Sequence, residues 1–301
     1  MRVFLTGATG FIGSRIIPEL LAAGHQVLGL ARSNASARSL AAAGAEAHRG
    51  ALEDLASLRA GAEQADAVIH TAFDHEFTNF LANCEKDRRA ITALGAALQG
   101  SARPLLITSG TGIGDAGPGQ PAVETIFNPD HPNPRIASEQ AGNALLEAGV
   151  DVRVVRLPQV HDTRRQGLIT PLIEMSREKG IVGYVGDGAN RWPAAHVLDV
   201  AKLYTLVLDH GHKGDRYHAV AEGGITARAI AEVVATGLGL PAVSLSAAEA
   251  PKYLGWLAMF AGLDMPASSD RTRAQLGWTP TGPDLIADLK AMDYSPTVGA
   301  A

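Results

Sequence analysis

Apolar runs and helical repeats alternate along the first half of the chain. Val3–Leu5 is a short unbroken apolar run, which predicts a buried strand, and from Phe11 to Ala23 apolar residues return at helical spacing. Gln26–Leu30 predicts a second strand, Ala35–Ala43 a helix ended by Gly44, and Ala45–His48 a short third strand. Leu52–Ala60 reads as a helix ended near Gly61, followed by a strand at Ala67–Ala72 and a long helix at Phe77–Leu98 ended near Gly100. Pro104–Thr108 is the next strand, Pro134–Ala148 a helix and Val152–Leu157 a strand. Repeated β-α-β order calls for an α/β fold, a doubly wound parallel sheet with helices on both faces and right-handed crossovers.

Beyond Pro158 the pattern changes. Gly167–Lys179, Val197–Asp209 and Ile225–Gly237 read as helices, and Arg216–Val220 could return a strand to the sheet. Tyr253–Ala261 and Leu285–Leu289 predict a smaller, mainly helical C-terminal substrate lobe, and Ser295–Ala301 reads as a disordered tail. The expected division is a dinucleotide domain over 1–160, with 195–220 returning to it, and a lobe over 161–194 and 221–301. The segment Gly112–Asn133, rich in Gly, Pro and Asp, reads as a long irregular loop of the functional kind.

Composition narrows the class. The 301 residues are 46% hydrophobic and 19% charged, with a net charge of −5, which describes a globular protein and points to no nucleic-acid partner. No apolar run is long enough to span a bilayer and no signal-peptide layout precedes the first strand, so the expected location is cytoplasmic. The single cysteine, Cys84, excludes an intramolecular disulfide and sits in a helical pattern, where a structural thiol is expected. The ten histidines show no metal-binding spacing, so no metal is expected.

The most specific motif is Thr6-Gly-Ala-Thr-Gly-Phe-Ile-Gly13, between the first strand and the first helix. Gly7 permits a tight turn, Gly10 lets a pyrophosphate approach the backbone, and Gly13 lets the helix pack closely on the strand. Free amides at the helix start attract the phosphates. That context favours a dinucleotide-binding Rossmann fold over the alternative, a glycine-rich turn without a ligand.

These residues and several downstream landmarks resemble the extended short-chain dehydrogenase/reductase superfamily, which includes nucleotide-sugar epimerases and 3β-hydroxysteroid-type dehydrogenases. The resemblance covers nearly the whole length. It implies that Gly7, Thr9, Gly10, Phe11, Ile12 and Gly13 hold the cofactor. Val68-Ile-His-Thr-Ala-Phe73 is similar to the strand beneath the cofactor, which adds Thr71, Ala72 and Phe73. Arg156-Leu-Pro-Gln-Val-His161 resembles the segment near the nicotinamide, which adds Pro158 and Val160. Leu106-Ile-Thr-Ser-Gly-Thr111 resembles the strand that carries a catalytic Ser or Thr. Homodimerisation through helices Phe77–Leu98 and Pro134–Ala148 is a further implication.

One departure limits the transfer. The family's Tyr-x-x-x-Lys pair falls on Arg135-Ile-Ala-Ser-Glu139, so both reactive positions are replaced. The chain therefore reads as an atypical subgroup. The second strand also ends without the acidic residue that binds adenosine ribose hydroxyls; Arg32 and Ser33 stand there instead. A guanidinium suits a phosphate, so NADP(H) is favoured over NAD(H), with Arg38 as a helper; the alternative is that Arg32 is a solvated surface residue. Ala51 follows Gly50 where the family often has Asp, leaving Leu52 to supply adenine contact.

Four side chains are candidates for the chemistry. Arg135 could stabilise a developing oxyanion, or simply pair with Glu139 one helical turn on. Thr111 and Ser109 could hold the substrate oxygen; by the resemblance, Gly110 occupies the family's usual Ser position. His161 could transfer a proton or be a loop histidine without chemical duty. His70 is expected to be a satisfied buried imidazole; Asp74 and His75 follow the fourth strand, where such sheets bind ligands. Tyr184 and Trp192 line the lobe or merely pack in it. The leading expectation is an NADPH-dependent oxidoreductase that reduces a carbonyl or imine of a small apolar molecule. The alternatives are a non-catalytic NADP(H)-binding redox sensor and a nucleotide-sugar epimerase or dehydratase.

Overall fold

The computed structural model describes residues 1–295. The expected tail therefore lies, from residue 296 onward, outside the described residues. Five β-α units build the core: β1 (Arg2–Thr6), α1 (Gly13–Ala22), β2 (Gln26–Ala31), α2 (Asn34–Ala42), β3 (Glu46–Arg49), α3 (Leu55–Glu63), β4 (Ala67–His70), α4 (Phe80–Ala96), β5 (Pro104–Gly110) and α5 (Ile136–Glu147). β6 (Asp151–Leu157) and β7 (Gln159–His161) follow, then α6 (Ile169–Lys179), β8 (Val182–Val185), β9 (Arg191–His196), α7 (Val197–His210), β10 (Arg216–His218) and β11 (Glu222–Thr226). The chain closes through α8 (Ala227–Leu238), β12 (Ala242–Leu245), α9 (Ala250–Leu254), α10 (Ala258–Ala261), α11 (Asp270–Leu276) and α12 (Leu285–Ala291).

Seven strands form one parallel sheet in the order β10-β6-β5-β4-β1-β2-β3. From β1 the chain first winds outward to β2 and β3, then returns to β4 on the other side. The crevice at that reversal, outside the C-terminal ends of β1 and β4, is where doubly wound sheets take ligands. The central strands are apolar on both faces, as a sheet covered by helices on both sides requires. One cluster around Val3, Leu5, Ile69 and Tyr204 packs under α1 and α7. Another around Phe4, Val68, Leu94 and Leu145 packs under α3, α4 and α5.

The later part holds more strand than its apolar pattern predicts. β7, β9 and β11 form a three-stranded sheet, and β8 pairs with β12. Ile225 belongs to β11, so α8 starts two residues later than expected. Phe77–Asn79 is a separate 3-10 turn rather than the first turn of α4. Phe77 and Phe80 pack against the lobe's own core, which is built around Ile173, Trp192, Ile230 and Leu257.

Candidate active site

The glycine turn after β1 is shaped by backbone crowding. Gly7 has φ +70°, and a Cβ there would lie 2.7 Å from Thr71 Oγ1 and 2.8 Å from the Ala72 amide. A Cβ on Gly13 would overlap the Gly7 carbonyl oxygen. The Gly10 amide donates to that same carbonyl at 2.8 Å, which closes the turn. Thr9 and Gly10 stay exposed and Phe11 and Ile12 are half-buried; the Ser14, Arg15 and Ile16 amides bond to the Gly10 and Ile12 carbonyls, while those of Phe11, Ile12 and Gly13 have no backbone partner among the described residues. A small, open, amide-lined cradle is what a pyrophosphate needs, so the residues present fit a dinucleotide.

A chain of buried polar side chains runs beneath this turn. Thr6 Oγ1 is 2.7 Å from His70 Nδ1, and His70 Nε2 is 3.0 Å from Asp87 Oδ1. With Asp87 as a carboxylate, the consistent tautomer has the proton on Nε2 donating to Asp87, while Thr6 donates to Nδ1. His70 is thus a satisfied buried imidazole. Asp87 Oδ2 accepts from Ser138 Oγ at 2.6 Å and from Arg135 Nη1. Burial works to raise the Asp87 carboxyl, but Arg135, His70 and Ser138 outweigh it and hold it well below the usual carboxylate range.

Arg135 stands immediately before the first residue of α5. Its guanidinium also donates to Ser138 Oγ, and to the Thr108 carbonyl at 2.9 Å, and Cζ lies 4.1 Å from the Phe73 ring centroid. Of the five N–H groups of a guanidinium, three are taken by Asp87, Ser138 and Thr108, and two have no partner among the described residues. The pairing of Arg135 with Glu139 does not occur. Glu139 points the other way, into a bidentate pair with fully buried Arg156 at 2.7 and 2.8 Å and a further bond from Arg216. The reason is geometric: the family's reactive pair would share one face, but Arg135 lies just outside the helix and faces α4, while Glu139 faces β6.

The other expected residues fall in different settings. Ser109 is buried, and its hydroxyl has no partner among the described residues. Thr111 is also buried and opens the 3-10 turn Thr111–Gly114. Within β5, Thr108 donates to the His70 carbonyl and lies 2.6 Å from the hydroxyl of Tyr204, a fully buried phenol whose pKa burial pushes up. His161 is fully buried and its Nδ1 lies 2.7 Å from Asp288 of α12; burial depresses its pKa even against Asp288. Pro158 and Val160 sit at the end of β6 and in β7. Arg32 is exposed after β2, and Ser33 caps α2 by accepting from the Ser36 amide. Leu52 is half-buried against the cluster around Phe4. Trp192 is buried in the lobe and Tyr184 packs against it. Cys84 is buried, and its thiol is pushed up to about 11 by burial, which makes it inert as a nucleophile. Among the described residues no group of three or more His, Cys, Asp and Glu could hold a metal ion, and no helix is long and apolar enough to cross a membrane. Asp87 and Ser138 escaped the sequence reading. A lone acid in a helix and a helical Ser carry no local signal; only the fold brings them to Arg135, 48 and 3 residues away in sequence.

Residues 3–221 match the model of the NAD dependent epimerase/dehydratase family. The chain belongs to this family. The uncharacterized protein C2A9.02 of Schizosaccharomyces pombe is 42% identical over 295 residues, covering 98% of this chain and 100% of that one. A 4-hydroxy-2-methyl-3-oxo-4-farnesyl-3,4-dihydroquinoline-1-oxide ketoreductase of Stigmatella aurantiaca is 24% identical, covering 92% of each chain. The crystal structure of DesIV, a dTDP-glucose 4,6-dehydratase from Streptomyces venezuelae with NAD and TYD bound, superposes with a TM-score of 0.77 at 20% identity, covering 97% of this chain and 96% of that one. Membership puts the epimerase/dehydratase-type chain among NAD(P)-dependent oxidoreductases, epimerases and dehydratases.

Proposed function

We propose that the protein is an NADPH-dependent reductase of a carbonyl, or of an imine, on a small and rather apolar molecule. The observation that carries this reading is the fixed guanidinium of Arg135 with two unspent N–H groups, standing where the family's reactive phenol is missing. A guanidinium is a poor acid but a good partner for a developing oxyanion. That suits a reduction, which needs charge stabilisation, better than an epimerisation or dehydration, which leans on a base.

The bound dinucleotide would supply the hydride. Gly7, Thr9, Gly10, Phe11, Ile12 and Gly13 would cradle its pyrophosphate; Thr71, Ala72, Phe73, Pro158 and Val160 would flank the nicotinamide end, and Leu52 the adenine. Exposed Arg32, with Ser33 at the start of α2, supports a 2′-phosphate there. Ser109 and Thr111 would hold the substrate oxygen, the former with a hydroxyl that has no other partner among the described residues. His161 takes no part in this scheme, because its ring is fully buried beside Asp288 and burial lowers its pKa, which favours the neutral form. The apolar substrate is supported by Phe77, Phe80, Trp256 and Phe260, whose rings pack together beyond Phe73. The ketoreductase relative supports the carbonyl.

A second reading, a NADP(H)-binding sensor without turnover, draws support from Asp87, which compensates the Arg135 charge. Calorimetry with NADPH and NADH on the wild type and on Arg32→Ala, followed by NADPH consumption over aldehydes, ketones and cyclic imines, separates the two. We expect tighter NADPH than NADH binding, lost in Arg32→Ala, and turnover on at least one apolar carbonyl or imine. Tight binding with no turnover on any of them favours the sensor.

A further inference from the structure

We propose that His75 is the proton donor of this site, taking over by an imidazole the duty of the absent phenol; this rests on the reductase reading above. His75 follows the C-terminal end of β4, two residues after Phe73. Its ring meets Phe73 edge-on at 5.2 Å and lies 6.1 Å from Phe77, while Phe73 carries the Arg135 guanidinium at 4.1 Å on its face. The imidazole therefore shares one short stretch of chain with Phe73 and Phe77, and the fold brings the Arg135 guanidinium onto the face of Phe73.

The turn that carries His75 is braced. Asp74 accepts from Lys86 Nζ at 2.6 Å and from the Glu76 amide at 3.1 Å. Glu76 accepts from both the amide and the hydroxyl of Thr78, and Asn83 of α4 donates to the Glu76 carbonyl. The segment also anchors in the lobe, where Phe77 stacks on Trp256 at 4.2 Å and 10°.

Elimination points the same way. Arg135 stays charged, and the Ser109 and Thr111 hydroxyls are too weak as acids. Tyr204 is fully buried beside Thr108, and His70 is held between Thr6 and Asp87. His161 is buried on Asp288, and His131 already accepts the Asn133 amide at Nδ1. His75 is exposed at its rim and can reach solvent to reload its proton.

In the step, a bound reduced dinucleotide would supply the hydride that forms the new C–H bond at the carbonyl carbon. The C=O π bond breaks, and its pair takes the proton from an imidazolium N–H of His75. The products are an alcohol, the oxidised dinucleotide and a neutral imidazole, which water reprotonates. The groups facing His75 are Arg135 and Arg165, Asp74, the Phe73 backbone and the Phe73 and Phe77 rings. Desolvation and the two arginines depress the imidazole pKa below its ordinary 6.5, against Asp74 and the Phe73 backbone. Protonated His75 is the working form for reduction. The rate constant for reduction accordingly falls as pH rises through that lowered pKa.

The test compares wild type, His75→Gln and, as a control, His131→Gln, using the best carbonyl substrate of the panel. His75→Gln is expected to lose the falling limb of the pH profile and about 10²–10⁴ in kcat. NADPH affinity should stay within about threefold, and added imidazole should restore part of the rate. Independently of turnover, NMR titration of the apo-protein should give His75 a pKa below 6.5 that matches the kinetic limb. A His75→Gln enzyme with unchanged kcat and pH profile overturns the proposal, as does loss of the limb in His131→Gln alone. Wild type that binds NADPH without turning over any substrate removes the reductase reading and this proposal with it.

Discussion

At the residue scale, Asp87 decides whether the site exists. It is fully buried, and its carboxylate holds Arg135, Ser138 and His70 at once. Asp87→Ala would leave a guanidinium without its counter-ion in a nearly enclosed position. The expected loss is about 3–5 kcal/mol in urea unfolding, and Asp87→Asn, which keeps the acceptor oxygen, should lose less. Arg135→Ala belongs to the same scale. It should cost roughly 10²–10³ in kcat, the usual range for removing an oxyanion donor, with NADPH affinity held within a few-fold by fluorescence titration. Gly13→Val is the backbone counterpart: its side chain would run into the Gly7 carbonyl, and NADPH binding by calorimetry should vanish. The glycines and Arg135 were legible in the chain because their spacing is local. Asp87 was not, because its meaning arises only when α4 is laid beside α5.

At the scale of elements, the buried cluster around Arg156 fixes the irregular segment between β5 and α5. Arg156 Nη1 donates to the Val123 carbonyl and Nη2 to the Ile126 carbonyl, while Nε and Nη2 hold Glu139. Its Nη1 also lies 3.2 Å from His218 Nε2 of β10, which must be the unprotonated nitrogen, with Nδ1–H donating to the Ser268 carbonyl at 2.8 Å. Burial, and then the charge of Arg156, push His218 down to about 4. The unfolded chain takes up this proton near 6.5 and the folded chain only near 4. Stability from this group is therefore complete above pH 6.5 and is lost as pH falls toward 4. Urea midpoints measured across that window should decline in the wild type and flatten in His218→Gln. The strands of the large sheet were readable because Val3–Leu5, Ala67–Ile69 and Leu105–Ile107 are unbroken apolar runs buried on both faces. The small strands were not. β7 is three residues, Gln159-Val-His161, and β9 contains Pro193 and polar ends, so neither carries a period that sequence alone could separate from loop.

At the scale of the whole molecule, a cluster of aromatic contacts, Phe77 on Trp256 foremost, ties the sheet to the lobe. Phe77 leaves the β4–α4 connection and stacks on Trp256 just beyond α9. Such a pair is worth about 0.5–1.5 kcal/mol beyond the area it covers. Phe77→Ala should change the tryptophan emission, because Trp192 and Trp278 are buried elsewhere and Trp256 is the partly covered indole. A spectrum identical to wild type would show that the stack does not persist in solution. The fold class was legible from alternating elements, whereas this junction was not, since Phe77 looked like one more apolar residue of a helix.

The seat of β10 has a consequence for synthesis. The outermost strand beside β6 is supplied by Arg216–His218, some sixty residues after β6 leaves the sheet. While a ribosome is still making the intervening stretch, the Asp151–Leu157 edge has bare amides and carbonyls, a template for sticking to other nascent chains. A protein stopped after residue 160 should therefore precipitate on expression, and extending it past residue 218 should rescue it.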